Sequence, residues 1–156
     1  MSRVGRWWGV AMVMVSACGG SSPSAPAVQI SVGGSYDIRK TVVSDTCGSF
    51  APGTVFSNPG EVRHTAGATT FVLNDHGTRD LPGTINSDGT FALAASRSLV
   101  MNTINAVDTF DGGRFTTTGF ELRDTTDLDA NPNGGGACRS VATWTGTKSG
   151  APNVIP

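Results

Sequence analysis

The sequence predicts an all-β domain built as an antiparallel meander barrel, with a two-sheet sandwich as the alternative. Three observations predict it. Short runs that alternate apolar and polar residues are separated by Asn-, Asp- and Gly-containing turn signals along most of the chain. Glycine supplies 21 of the 156 residues, and threonine, whose branched β-carbon suits a pleated surface, is plentiful. No strand–helix alternation repeats, which argues against a parallel sheet. Seven or eight short strands are expected. Cys47 follows the first and Cys138 precedes the last, and first and last strands meet when a barrel closes.

The elements follow in order. Folded structure is expected from Val28. Residues 29–43 read as a long strand region, with Tyr36, Ile38 and Val42 on one face and Asp37, Arg39 and Thr41 on the other. Lys40 interrupts the apolar face, which a strand end or rim tolerates. Residues 45–60 are turn-rich, with Pro52 and Pro59, and hold a short edge strand at Val55-Phe56. Residues 62–65 and 69–73 read as two strands parted at Ala66-Gly67-Ala68, followed by a turn at Asn74-Asp75-His76-Gly77. Residues 81–85 form a strand whose Pro82 suggests an edge. Asp88-Gly89 marks a hairpin tip before Phe91. Residues 92–101 fit either a strand or a short helix lined by Leu93, Leu99 and Met101. Residues 104–110 and 114–123 read as a hairpin turned at Asp111-Gly112-Gly113, and residues 124–137 as a polar loop. Residues 140–148 close the sheet, with Ala142 and Trp144 inward, and residues 149–156 read as a flexible tail.

The N-terminus carries a different signal. Arg3 and Arg6 precede an apolar run at residues 7–15, and small residues Ser16 and Ala17 precede Cys18, the pattern of a secretory signal over residues 1–17. The run is about half the ~20 residues a membrane-spanning helix needs. Val15-Ser16-Ala17-Cys18 resembles the lipobox of bacterial lipoproteins. The resemblance implies cleavage before Cys18 and acylation of that cysteine, hence a membrane partner reached through a lipid anchor. Gly19 stands where the inner-membrane retention Asp of the enterobacterial family would be, which implies an outer-membrane lipoprotein facing the periplasm or the cell surface. Residues 18–27, mostly Gly, Ser, Pro and Ala, form a tether to a single β domain at residues 28–148.

Removing residues 1–17 from the 156 leaves 139, enough for one core. Two of the 11 basic residues leave with the signal, so nine basic residues face 12 acidic ones, a net charge of −3. Charges of both signs are interspersed, so nucleic acid is not an expected partner. With Cys18 assigned to lipid, Cys47 and Cys138 form an even pair in an oxidising compartment and are expected to make a disulfide. This placement of cysteines beside the first and last strands resembles the topology of small secreted barrels of the lipocalin-like kind, although Gly34-Ser35-Tyr36 stands in place of their Gly–Trp opening. Topology of that kind carries no ligand with it.

Candidate chemistry is sparse. Asp127, Asp129 and Asn131 have the alternate spacing that lets oxygens converge on calcium, and they resemble the start of an EF-hand loop. Pro132 then occupies the place of the glycine, and the closing glutamate position falls on Cys138. The competing reading is a solvated acidic turn that caps its own backbone. His64 and His76, near Asp75 and Asp80, are the residues from which a zinc site would have to be built, with structural and surface roles as the competing reading. No Gly-x-Ser-x-Gly or Gly-x-Gly-x-x-Gly motif supports a hydrolase or a dinucleotide site. One tyrosine, seven phenylalanines and the mature chain's Trp144 suffice for a core but are too few for a stacking platform. No cofactor or catalytic residue is expected. The leading expectation is a non-enzymatic envelope protein contacting other envelope proteins or the cell wall. A carrier of a small hydrophobic ligand is the alternative, and an envelope hydrolase ranks third. A filled interior of Tyr36, Ile38, Leu73, Phe91, Phe120, Leu122 and Trp144 would favour the first. An apolar cavity of roughly 300 Å³ or more would favour the carrier.

Overall fold

The computed structural model describes residues 28–75, 80–94, 97–101 and 104–156, with the backbone alone for 97–101. It is an all-β meander. The strands are β1 (Gly34–Asp45), β2 (Val55–Arg63), β3 (Thr70–Asp75), β4 (Asp80–Ile85), β5 (Thr90–Leu93), β6 (Arg97–Met101), β7 (Ile104–Thr116), β8 (Gly119–Leu128) and β9 (Cys138–Lys148). Every pairing is antiparallel, and the order β5-β4-β3-β2-β1-β9-β8-β7-β6 closes because β5 also pairs with β7. β5 meets the C-terminal half of β7 and β6 the N-terminal half, so the two share one position and the barrel has eight. The expected meeting of first and last strands is the β1–β9 ladder.

Alternation builds the interior. All seven side chains expected there are buried in one cluster, joined by Val62, Phe71, Phe115 and others. Space for the rings comes from glycine directly opposite. Gly146 pairs with Phe120, Gly83 with Phe71 and Gly113 with Phe91. A Cβ on these glycines would lie 2.1, 2.6 and 2.4 Å from the facing ring, so each ring occupies the space of a missing side chain. The high glycine content is therefore part of the packing as well as of the turns.

One end of the barrel is closed by the segment just before β1 and the segment after β9. Val32 is fully buried, and Ser31 and Val154 exchange two backbone hydrogen bonds of 2.9 Å. Asn153 is buried. Its amide nitrogen donates to the Thr116 and Gly119 carbonyls, and its Oδ1 lies 2.8 Å from the Tyr36 hydroxyl. The expectation that the tail frays from Ser149 is thus corrected. Asn153 replaces an apolar anchor with a fully bonded polar one, which hydrophobic patterning cannot register.

Other boundaries also differ. Asp111-Gly112-Gly113 is a bulge within β7, where the register with β8 shifts between Asp111 and Arg114, and the chain reverses at Thr117-Thr118 instead. β8 continues to Leu128 through residues expected to be loop, because Asp124 and Thr126 fill inward positions with polar groups. β4 is an interior strand. Pro82 is accommodated because its carbonyl faces Ala94, just past the end of β5, where its missing donor leaves no ladder bond unmade. Similarly, Pro59 sits one residue before the β2–β3 ladder begins at Gly60. Residues 97–101 are strand, the first of the two readings given to that region.

Candidate functional site: the open mouth of the barrel

The end opposite the termini is where inward positions turn polar. Lys40 points inward on β1, beside Trp144 in register, and its Nζ lies 2.7 Å from Asp75 Oδ2 and 3.7 Å from the centre of the Trp144 ring. Asp75 and Trp144 are buried, so the ammonium is held between a carboxylate and an aromatic face away from bulk water. Trp144 Nε1 is buried with no hydrogen-bond partner among the described residues. Two inward positions nearer the rim along β8, Thr126 donates to buried Asp108 across the β7–β8 ladder at 2.8 Å. The sequence showed Lys40 only as an interruption, and Asp75 was assigned to a turn. The signal for both was their place in a period-two run.

The rim is set by the disulfide and two loops. The register Asp45↔Ser140 places Cys47 two residues beyond Asp45 opposite Cys138, and the Cys47–Cys138 bond is formed with Cα atoms 5.1 Å apart. Thr46 N donates to the Arg139 carbonyl, and Arg139 N donates to Thr46 Oγ1, each at 2.8 Å. Asp45 then shapes the β1–β2 loop, since its carboxylate accepts from the backbone N–H groups of Cys47, Ser49 and Phe50. Asn133 Nδ2 donates to the Cys47 carbonyl and to Ser49 Oγ, tying the β8–β9 loop to the β1–β2 loop. Between them lies a pocket of about 230 Å³ lined by Cys47, Phe50, Leu128, Pro132, Ser140 and Thr126, among others. Phe50 is half-exposed and meets Phe56 edge to face, ring centres 5.0 Å apart. A broader, open depression of about 1030 Å³ lies over β2–β5, lined by exposed Glu61, Arg63, Thr84 and Ala92.

The other candidates have separate surroundings. Cys18 and His76 lie outside the described residues. Asp127 is paired with Arg139 on the adjacent strand at 2.6 Å, and this hydrogen bond raises the Arg139 pKa. Asp129 accepts from Asn105 Nδ2 and backbone N, which hold its pKa below the ordinary carboxylate value. Asn131 Oδ1 accepts from Asn133 N in an Asx turn. The alternate spacing thus serves three local contacts. Among the described residues no three His, Cys, Asp or Glu side chains gather as metal ligands. His64 sits near the closed end, with Nε2 3.0 Å from the Ala68 carbonyl and Nδ1 3.4 Å from Val32 N, a structural tie between hairpin and terminal segment. No model of a known protein family matches the chain, and no curated protein or solved structure matches it either.

Proposed function

We propose that this protein is a lipid-anchored envelope protein whose barrel acts through its rim and outer surface on other envelope proteins or the cell wall, without a catalytic step. The observation that carries the reading is the filled interior: seven large inward side chains form one buried cluster, and the segments flanking β1 and β9 cap one end. The anchor rests on Arg3, Arg6, the apolar run and Val15-Ser16-Ala17-Cys18, and the outer membrane as its location rests on Gly19. Acyl chains contributing about 0.8 kcal/mol per buried methylene would make such an attachment effectively permanent.

Two measurements test this. Intact mass of membrane-extracted protein is expected to show cleavage before Cys18 and its acylation; an unmodified Cys18 removes the anchor from the reading. Native mass spectrometry is expected to show the protein with no small ligand beyond its acyl chains. A second species bound at unit stoichiometry would instead favour the carrier.

A further inference from the structure

We infer that the mouth pocket is a socket for one bulky apolar side chain presented by an extended segment of a partner protein. This rests on the contact role proposed above and gives that role a place. At about 230 Å³ the pocket falls below the ~300 Å³ at which small-molecule sites begin, but it is of the scale of the single-residue anchors that dominate protein interfaces. Its walls are chemically mixed in the way such an anchor needs: Phe50, Leu128, Pro132 and the disulfide provide apolar surface, while the Ser49 and Ser140 hydroxyls can meet backbone groups beside the inserted side chain. Asp45, which also lines it, has both carboxylate oxygens turned to backbone N–H groups, so the socket favours a neutral occupant.

The surroundings support the same occupant. Among the described residues six large hydrophobic side chains are exposed, and four of them, Val43, Phe50, Val55 and Phe56, cluster at this end of the β1–β2 hairpin. Four side chains are far from the ~800 Å² per partner that a stable dimer buries, which disfavours a second copy and suits a peptide segment. The described residues begin at Val28, beside the Ser31–Val154 pair at the opposite end of the barrel.

The test uses the full chain, ¹⁵N-labelled and held in lipid nanodiscs, titrated with N-acetyl-leucinamide and, as a polar control, N-acetyl-serinamide. Saturable shifts are expected at Ser49, Phe50, Leu128 and Ser140 with the leucine compound and not with the serine compound. Phe50→Ala should weaken binding roughly tenfold, the loss of a typical interface anchor contact. Ser140→Leu, which fills the socket from its floor, should abolish it. Equal responses to both compounds, or binding unchanged in both variants, would overturn the socket. A photo-cross-linker placed in cells at Phe50 or Pro132, and at Thr145 or Glu61 on the outer wall, separates this from the broader reading. Mouth adducts lost in Ser140→Leu support the socket. Adducts from the outer wall alone overturn it while leaving a contact role standing, and adducts from none of the four positions remove that role as well.

Discussion

Lys40 Nζ lies 2.7 Å from Asp75 Oδ2 inside the barrel, reaching past β2 to the strand beyond. The lysine side chain is 15 % exposed and the aspartate 3 %, so water screens the pair little. Its geometry explains why a lysine is tolerated in the apolar series Tyr36, Ile38, Val42: a carboxylate and the Trp144 ring meet it where the interior begins to open. A buried pair adds little net stability over apolar replacement, but losing one partner strands the other.

Lys40→Met is therefore expected to destabilise the fold by about 2–4 kcal/mol, since it removes the ammonium that faces the buried Asp75 carboxylate. Adding Asp75→Asn should recover most of that loss. Urea denaturation of both single variants and the double variant measures the coupling. Additive losses would show that the two charges do not depend on one another.

Most of the barrel was legible from sequence because its closed half obeys simple alternation: Tyr36, Ile38, Phe120 and Leu122 are apolar, inward and two apart. Legibility fails where inward positions become polar. Asp124 and Thr126 continue β8 toward the mouth but read as loop, because patterning cannot distinguish an inward Asp from an outward one. Asp111-Gly112-Gly113 reads as a hairpin turn but forms a bulge, since Asp-Gly chemistry that makes the one also makes the other. The mouth pocket had no local signal at all. Phe50, Leu128 and Pro132 belong to segments about 80 residues apart, joined by the ladders, the Cys47–Cys138 bond and the Asn133 contacts.

The disulfide joins segments already adjacent in the β1–β9 ladder, so its contribution should fall mainly on the unfolded chain. With the cysteines 91 positions apart, the chain-entropy model gives a loss of about 4–5 kcal/mol for Cys47→Ser/Cys138→Ser. The expected result is a lower denaturation midpoint with an unchanged far-ultraviolet spectrum. Loss of the β spectrum at low denaturant would mean the bond is needed to hold the native ladder itself.

Gly146→Ala tests the pairing of rings with glycines. The added methyl would lie 2.1 Å from the Phe120 ring, forcing that ring to shift among Tyr36, Phe91 and Phe115. Overpacking of this kind costs about 1–3 kcal/mol. Gly136→Ala, where the new methyl meets nothing within 4 Å, is the control and should stay within about 0.5 kcal/mol of wild type. Equal effects in a denaturation series would reject the close-packing account.

The closed end makes a prediction for alkaline pH. The Tyr36 hydroxyl lies 2.6 Å from the Val32 carbonyl and 2.8 Å from Asn153 Oδ1, joining the segments before β1 and after β9. Burial pushes its pKa up to about 12. The folded state therefore keeps this proton at pH values where the unfolded chain, with a tyrosine pKa near ~10, has begun to release it. Below about pH 10 the stabilisation is present in full, and it is lost as pH rises toward 12. Two pKa units correspond to a loss on the order of 2–3 kcal/mol. Lys148, whose pKa burial lowers, contributes with the opposite sign in the same range, so the quantity to read is the difference between wild type and Tyr36→Phe. The variant should be less stable by about 1–3 kcal/mol at neutral pH, having removed the donor that Val32 and Asn153 share, and its stability should fall less steeply above pH 10. Urea denaturation from pH 8 to 12 checks both expectations. Parallel pH profiles for the two proteins would show that Tyr36 does not couple its ionisation to closure of this end.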